Sequence, residues 1–238
     1  MFASLIKKQS FERYYNDDVI LIILLFVFIV TLCFYLKGKI GEISMNMKAL
    51  IPIADGSEEI ESVTVIDILR RAGVDVTVAV IGSKDNDQIT AARGTKVVGD
   101  CGITDCTKET WDAIVIPGGI EGASAIANCK IFHKILVEHA SSKKLIGAIC
   151  AAPALVLGAK GLLDEHIATC HPHFHNSINC RELDSEAKVV IDDYYVTSQG
   201  PGTAIDFSLE LVELLCGEVK REEVSSPLVL TTSPTSYY

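Results

Sequence analysis

Cys150 is the residue whose position in the sequence most favours chemistry. It directly follows the apolar run Leu145–Ile149 and directly precedes Ala151–Gly158, which has the composition of a helix. A residue at such an abrupt strand-to-helix turn is held in a tight conformation and points outward. The amides and dipole of a helix N-terminus favour an anion, so we expect the pKa of this thiol to be lowered. The alternative is a small apolar side chain that closes the end of a strand.

Two carboxylates, Glu58 and Glu61, are candidates for acid–base work on that sulfur. They lie three residues apart in a helical pattern and therefore share one helix face. Carboxylates in a first helical turn commonly do no more than complement the helix dipole. If this face points toward Cys150, a partly dry pocket raises the pKa of the carboxyl group. A protonated carboxyl group there can donate a hydrogen bond to sulfur or transfer a proton.

His171 is the candidate general acid or base, and it begins an alternation of histidines. His173 and His175 follow at intervals of two residues, a pattern that invites comparison with a metal site. No acidic or thiolate ligand accompanies them at a zinc-like spacing, so we expect no metal. We interpret His171 as a proton donor or acceptor near Cys150, and the other two histidines as solvated loop residues.

Gly118 and Gly119 end another buried strand-like run, in the turn Pro117-Gly118-Gly119. Two successive backbone amides near the top of a sheet are a candidate oxyanion hole. An ordinary turn at the end of a strand is the alternative interpretation.

The elements that must position these residues begin at Met47, where short apolar runs start to alternate with helical patterns. Strands are predicted at Lys48–Ile53, Val74–Ile81, Lys96–Val98, Ala113–Pro117, Leu145–Ile149, Ile167–Thr169 and Tyr194–Ser198. Helices are predicted at Glu58–Ala72, Lys130–Ser142, Ala151–Gly158 and Thr203–Cys216. Continuous apolar strands separated by helices predict a mostly parallel sheet covered on both faces. Ligands of such sheets bind beyond the carboxyl ends of the strands, where the candidate residues fall.

The first 46 residues form a separate segment. Residues 19–36 are eighteen consecutive uncharged residues, about the minimum for a helix that spans a bilayer. We predict an uncleaved N-terminal transmembrane anchor at 19–36, with a cleaved signal peptide as the competing interpretation. The catalytic domain, 47–230, would then be membrane-anchored on the cytosolic side, followed by a flexible tail at 231–238. A start at Met45 or Met47 would instead give a soluble cytoplasmic form.

Composition narrows the possible functions. The chain has 238 residues, 49% of them hydrophobic, and a formal net charge of −10 at pH 7. A surface this acidic repels phosphate backbones, so direct nucleic-acid binding is not expected. Its eight cysteines contain no CxxC pair, and a domain of this size does not need disulfides to fold. We therefore interpret them as reduced and mostly inert thiols.

Several ordered motifs carry a resemblance to the DJ-1 (ThiJ/PfpI) family, in its protein deglycase branch. The motifs are ADGSEEIE (54–61), LRRAG (69–73), ARGTKVV (92–98), VIPGG (115–119), GAICAAPALVL (147–157), TCHP (169–172) and TSQGPGTAIDF (197–207). The resemblance covers nearly all of residues 47–230. Because it rests on many motifs in the same order, it is more specific than any one of them.

The resemblance implies an α/β, flavodoxin-like three-layer sandwich, similar to class I glutamine amidotransferases, and a homodimer. It implies a low-pKa nucleophile at Cys150 that is hydrogen-bonded to Glu61, with Glu58 as a supporting acid and His171 nearby. The implied oxyanion amides are those of Gly118, Gly119 and Ala151, and Arg71 and Arg93 match basic positions near the site and the dimer contact.

The implied activity is that of a cofactor-independent glyoxalase or deglycase. Its substrates would be methylglyoxal, a small dicarbonyl, or methylglyoxal adducts on proteins or nucleotides, attacked through a hemithioacetal on Cys150. The alternative is an oxidative-stress sensor and redox-regulated chaperone that uses a Cys150 sulfinate. Proteases of the wider superfamily have a His directly after the cysteine; Ala151 stands there in this chain, which argues against protease activity.

Overall fold

The computed structural model describes residues 19–32, 47–82 and 87–230. The chain divides into two units, Met1–Met45 and Asn46–Tyr238. The domain predicted from the motifs, residues 47–230, therefore lies in the second unit. The flexible tail predicted at 231–238 lies outside the described residues.

The described part of the first unit is one helix, α1, at residues 19–32. A helix rises 1.5 Å per residue and needs about 20 residues to cross the hydrocarbon core of a bilayer, whereas the structure describes fourteen helical residues in α1. In the part of the chain that the structure describes, no helix combines the length and apolarity needed to cross a membrane. The anchor predicted at 19–36 is therefore wrong, and so are the membrane partner and the membrane-anchored localisation inferred from it. Residues 33–36 lie outside the described part.

The second unit alternates strands and helices. Its strands are β1 (Lys48–Ala54), β2 (Asp75–Ile81), β3 (Gln88–Thr90), β4 (Lys96–Val98), β5 (Cys101–Gly102), β6 (Ala113–Ile116), β7 (Leu145–Ile149), β8 (Ile167–Ala168), β9 (Glu182–Leu183), β10 (Val189–Asp192) and β11 (Tyr195–Ser198). Its α-helices are α2 (Glu59–Arg71), α3 (Ile120–Asn128), α4 (Lys130–Ser141), α5 (Ala204–Cys216) and α6 (Glu218–Ser225). A 3₁₀ helix covers Ile103–Lys108 and a π-helix covers Pro153–Leu157.

Seven strands form the main sheet in the order β10-β11-β7-β6-β1-β2-β5. Every pairing in it is parallel except that of β10 with β11. The chain order reverses between β1 and β6, and in open parallel sheets such a switch point opens a crevice at the carboxyl ends of the strands. The segments that follow β1, β6 and β7 therefore meet at one place.

Helices cover both faces of this sheet. Alternate residues of β1 belong to two separate apolar cores, as Leu50 packs into one and Ile51 into the other. Phe207 and Leu211 of α5 pack into the same core as Ile51, whereas Ile126 of α3 packs into the opposite one. Six of the seven residues of β1 are buried, as expected for a strand covered on both sides. The flavodoxin-like sandwich with a mostly parallel sheet is confirmed.

The segment after Cys150 differs from the helix predicted at Ala151–Gly158. It forms a five-residue π-helix at Pro153–Leu157, followed by a short 3₁₀ turn that ends at Gly161 with φ 72°. A segment this short presents a weaker dipole to Cys150 than the predicted helix would.

Helix α3 was not predicted, and it matters because it follows Gly119. It has nine residues, most of them small. They allow α3 to lie against the loop after β1: a Cβ on Gly122 would come within 2.4 Å of the Ser57 nitrogen.

Candidate active site

Cys150 lies directly beyond the end of β7 in a strained backbone conformation. Its φ is +64°, a left-handed value that non-glycine residues seldom adopt and that often marks functional sites. Two neighbouring segments hold this conformation. The Cys150 amide donates to the Ser198 carbonyl at 2.9 Å, and the Cys150 carbonyl accepts from the His171 amide at 2.9 Å. The side chain is only partly buried, so the sulfur remains within reach of a small molecule.

Glu61 lies in the first turn of α2 with 0% of its surface exposed. Its Oε2 atom accepts a hydrogen bond from the Gly118 amide at 2.7 Å, and its side chain also hydrogen-bonds to that of Cys150. Oε1 is buried and has no hydrogen-bond partner among the described residues. Burial raises the pKa of Glu61 to about 7, against the opposing effect of the Gly118 amide and the Cys150 hydrogen bond.

Glu58 is the N-cap residue of α2, and it acts on Glu61 in two ways. Its Oε2 atom accepts a hydrogen bond from the Glu61 amide at 2.9 Å, which fixes the start of the helix. Its negative charge also contributes to the raised pKa of Glu61. The side chain is 8% exposed and lines the cavity above Cys150. The sequence alone left open whether Glu58 serves the helix or the site, and the geometry allows both.

Gly118 and Gly119 play different parts. The Gly118 amide is engaged by Glu61, whereas the Gly119 amide, like that of Ala151, hydrogen-bonds to the Cys150 side chain. Of the three amides predicted to face an oxyanion, those of Gly119 and Ala151 are therefore aimed at the sulfur, and that of Gly118 orients the carboxyl group.

Close packing explains why residue 118 is a glycine. A Cβ on Gly118 would lie 2.5 Å from the Cys150 Cβ, 2.7 Å from Glu61 Oε2 and 3.0 Å from the Cys150 Sγ. These are distances that a real side chain cannot adopt without moving its neighbours. The backbone of Gly118 thus packs directly between the thiol and the carboxyl group, and no side chain fits there.

The pKa of the Cys150 thiol is raised to about 12, which is opposite to the lowered value predicted from the sequence. Burial is the largest cause and the negative charge of Glu61 is the next, while the Gly119 and Ala151 amides lower the pKa. Two negative charges this close disfavour each other, so the second deprotonation of the pair is difficult. Between the two pKa values the pair carries one proton and one negative charge.

His171 lies on the cavity wall, with its amide hydrogen-bonded to the Cys150 carbonyl. Its Nδ1 atom accepts from the His173 amide at 3.2 Å, which leaves Nε2 to carry the ring proton. Burial lowers the pKa of His171, and the nearby His173 and His175 lower it further. The imidazole is therefore neutral at neutral pH, able to donate from Nε2.

The other two histidines do not behave alike. His173 lines the cavity, with its ring 5.1 Å from that of Phe174 in an edge-on arrangement. His175 instead contacts the Cys170 carbonyl through Nε2 at 3.2 Å. In the described ranges, no group of three or more His, Cys, Asp or Glu side chains is placed to hold a metal ion.

A cavity of about 480 Å³ opens above Cys150. Its lining combines the charged groups Glu58, Arg93 and Glu121 with the apolar side chains of Ile120 and Phe174. The volume suits a small molecule or one modified side chain. Of these residues, Ile120, Glu121 and Phe174 were missed by the sequence reasoning, because the wall that they form depends on helix α3 and on another short 3₁₀ helix at Pro172–Phe174.

A model of the DJ-1/PfpI family matches residues 47–214 of the chain, well over half of its 238 residues. The chain belongs to the DJ-1/PfpI family. The resemblance inferred from the motifs is thereby confirmed, and the domain of this family contains every residue of the candidate site.

Relatives within the DJ-1/PfpI family include Protein DJ-1 homolog B of Arabidopsis thaliana, 42% identical over 195 residues, which are 82% of this chain and 44% of that protein. The glutathione-independent glyoxalase DJR-1.2 of Caenorhabditis elegans is 38% identical over 184 residues, 76% of this chain and 94% of that protein. The solved structure of Toxoplasma gondii DJ-1, oxidized, is 38% identical with a TM-score of 0.73, and the match covers 77% of this chain and 98% of that one.

The chain spans about half the length of the Arabidopsis relatives that it matches, 44% and 48% of two such proteins. It spans nearly all of the nematode glyoxalase. The shared part is thus one DJ-1/PfpI domain.

Within the DJ-1/PfpI domain, the two arginines noted in the motifs occupy different settings. Arg93 lines the cavity, and its backbone amide donates to the Glu59 carboxylate at 3.0 Å. Arg71 forms an exposed ion pair with Asp67 at 2.6 Å on the last turn of α2. Arg93 is therefore the cation that a substrate in the cavity would meet.

Proposed function

We propose that this chain is a cofactor-independent glyoxalase or deglycase that acts on methylglyoxal, or on its adducts on proteins or nucleotides, through a hemithioacetal on Cys150. The observation that supports it best is the Cys150–Glu61 pair. A buried carboxyl group with a pKa of about 7 hydrogen-bonds to a thiol at the base of a small-molecule cavity. That pKa suits a group that both accepts and returns protons near neutral pH.

In the first step, the ionised Glu61 carboxylate takes the thiol proton while sulfur attacks the aldehyde carbon. A carbon–sulfur bond forms, and the aldehyde oxygen receives the proton from Glu61, which gives a neutral hemithioacetal. The Gly119 and Ala151 amides, which hydrogen-bond to the sulfur in the free site, are the donors nearest to the developing oxyanion. A permanently ionised thiol is not required, because the proton leaves during the attack.

In the second step, Glu61 removes the hydrogen from the carbon that carries sulfur and returns it to the neighbouring carbon. The hydroxyl proton passes to the former ketone oxygen, so the product is a thioester of lactate on Cys150, an isomer of the hemithioacetal. Water then cleaves the thioester, releasing lactate and restoring the thiol. The neutral imidazole of His171 on the cavity wall assists this hydrolysis by transferring a proton.

Lactate formation from methylglyoxal by the full chain tests the proposal. We expect Cys150→Ser to reduce turnover to the uncatalysed background. Cys129→Ser is the matched control, because Cys129 is also half-buried and precedes a helix, α4, but is not on the cavity wall. Lactate formation that persists in Cys150→Ser would reject the proposal. A preformed adduct on N-acetylarginine distinguishes deglycase from glyoxalase activity: lactate from the free aldehyde alone would restrict the proposal to a glyoxalase.

A second candidate function is peroxide sensing through a Cys150 sulfinate. Its support is Glu61: a protonated carboxyl group with a buried and unpartnered oxygen, Oε1, would donate to a sulfinate oxygen. A relative with the same fold is described as oxidized. Mass spectrometry after mild peroxide separates the two functions: dioxidation of Cys150 in a chain without lactate formation favours the sensor.

The homodimer implied by the family resemblance is also a proposal. Helix α2 presents Ile60 and Val63 to solvent with 54% and 49% of their surfaces exposed, and because they are three residues apart they share one helix face that a second copy of the chain could cover. Light scattering would decide: we expect twice the monomer mass for the wild type and a monomer for Ile60→Glu. A monomeric wild type would contradict the proposal.

A further inference from the structure

Two cysteines outside the cavity form a second thiol site. Cys101 lies in β5 and Cys106 in the following 3₁₀ helix, and their Sγ atoms are 3.7 Å apart. Both are free thiols. Sequence patterns did not reveal the pair, because the C-x₄-C spacing becomes a contact only when the chain turns from the strand into that helix.

The local structure allows these sulfurs to reach bonding distance. A disulfide requires about 2.05 Å between the sulfurs. Starting from 3.7 Å, the two sulfurs must therefore move closer by about 1.7 Å. Strand β5 is at the edge of the sheet and, among the described residues, pairs only with β2, at Cys101 and Gly102. A two-residue edge strand held by one neighbour can adjust at low cost, since few hydrogen bonds and contacts oppose the movement.

The two thiols differ in access. Cys101 is half-buried, whereas Cys106 is 2% exposed and part of the apolar core. Burial, together with the neighbouring Cys101, Asp105 and Glu109, raises the pKa of Cys106 to about 12. Cys101 is therefore the sulfur that a dissolved oxidant meets first, with Cys106 held against it as a protonated partner.

We propose that Cys101 and Cys106 are a redox-modification site that forms a reversible disulfide when a hydroperoxide oxidises the chain. The Cys101 thiolate attacks a peroxide oxygen, which breaks the O–O bond and leaves a sulfenic acid and one water. The Cys106 sulfur then displaces hydroxide from the sulfenic sulfur, and with the Cys106 proton this leaves as a second water. Two thiols and one hydrogen peroxide thus become one disulfide and two waters, and a dithiol reverses the change.

This site is independent of the proposed function at Cys150, because neither cysteine lines the cavity. Digestion with trypsin also places the two sites in different peptides. Cleavage after Lys96 and Lys108 gives residues 97–108 with both cysteines of the pair, and cleavage after Lys144 and Lys160 gives residues 145–160 with Cys150.

The experiment is a hydrogen peroxide titration of the full, reduced chain, followed by alkylation, digestion and mass spectrometry. We expect peptide 97–108 to lose two hydrogens and escape alkylation, and to regain two alkylated cysteines after dithiothreitol. Cys150→Ser should leave this response intact. Cys101→Ser, at the half-buried position where a hydroxyl is well tolerated, should abolish it and leave Cys106 alkylated.

Three results would overturn the proposal. The first is that both cysteines of peptide 97–108 stay fully alkylated throughout the titration. The second is that they gain oxygen without losing two hydrogens. The third is that either one is recovered in a disulfide with a cysteine outside the pair.

Discussion

Burial raises the pKa of both acidic groups of the candidate site. Cys150 and Glu61 also lie too close together to carry two negative charges, so the pair keeps one proton. The carboxyl group is fully buried and its pKa rises to about 7. Burial and the negative charge of Glu61 together raise the pKa of the Cys150 thiol to about 12. We therefore propose that the pair acts as one acid–base unit, in which the thiol gives its proton to Glu61 as it reacts.

Replacing Glu61 by glutamine separates the two roles of the carboxyl group. We expect Glu61→Gln to lower turnover of methylglyoxal by about 10²–10⁴-fold, because glutamine cannot accept a proton. The same substitution should lower the pKa of Cys150, since the negative charge that opposes its ionisation is removed. Iodoacetamide labelling of Cys150 at pH 8 should therefore become faster while lactate formation is lost. Slower labelling, or unchanged lactate formation, would contradict the assignment.

At the scale of elements, three loops at the carboxyl ends of β1, β6 and β7 bring the site together. The first begins α2 and supplies Glu58 and Glu61, the second supplies the glycine pair, and the third supplies Cys150. The loops fit only because the residue where they touch has no side chain. That residue is Gly118, which lies within contact distance of both reacting groups.

Gly118→Ala tests this fit. Its φ is not in the left-handed region, so the expected damage comes from the contacts of the new Cβ at 2.5–3.0 Å with Cys150 and Glu61. Overpacking of this kind costs about 1–3 kcal/mol, and we expect at least a tenfold loss of turnover from the displaced thiol. Gly202→Ala is the matched control, because nothing lies within 4 Å of its Cβ. Equal effects of the two substitutions on turnover and melting temperature would reject the packing argument.

Glu58 connects the start of α2 to the acidity of the site. Glu58→Gln keeps an oxygen that can accept from the Glu61 amide but removes the charge that raises the pKa of Glu61. We expect the acidic limb of the pH–rate profile to move to lower pH with little change in stability. Glu58→Ala also removes the helix cap and should cost about 0.5–2 kcal/mol in the free energy of unfolding. A profile that stays in place in Glu58→Gln would show that this charge does not act on Glu61.

Sequence patterns predicted most of these elements, since buried parallel strands such as β6 and β7 are apolar throughout. The position of Cys150 at a strand end and the three-residue spacing of Glu58 and Glu61 also pointed to the site. The direction of the thiol pKa could not be predicted, because it depends on how deeply Glu61 is buried and on a π-helix that replaces the expected α-helix. Helix α3 has only nine residues, most of them small, and it was not predicted, so its contribution to the cavity was missed.

At the scale of the whole molecule, the site makes stability depend on pH. The pKa of Glu61 is about 7 in the folded chain against a reference of 4.5. A raised folded-state pKa contributes stability that is fully present below pH 4.5 and is lost as the pH rises through 7. From the two pKa values this contribution is about 3 kcal/mol.

Urea unfolding at pH 5 and pH 8 measures that dependence. Between these two values we expect the wild type to lose about 2–3 kcal/mol more of its free energy of unfolding than Glu61→Gln. Comparison with the glutamine variant removes the contribution of all other titratable groups, because both chains share them. An equal pH dependence in the two chains would show that Glu61 is not buried with a raised pKa.

The most direct test of the central claim, that the Glu61 carboxylate takes the proton of the attacking thiol, is the pH dependence of kcat/KM for lactate formation from methylglyoxal. We expect kcat/KM to rise with pH through about 7, as Glu61 ionises, and then to stay level up to pH 9. A rise centred near pH 8.5, as for an ordinary free thiol, or a profile without any acidic limb, would contradict it.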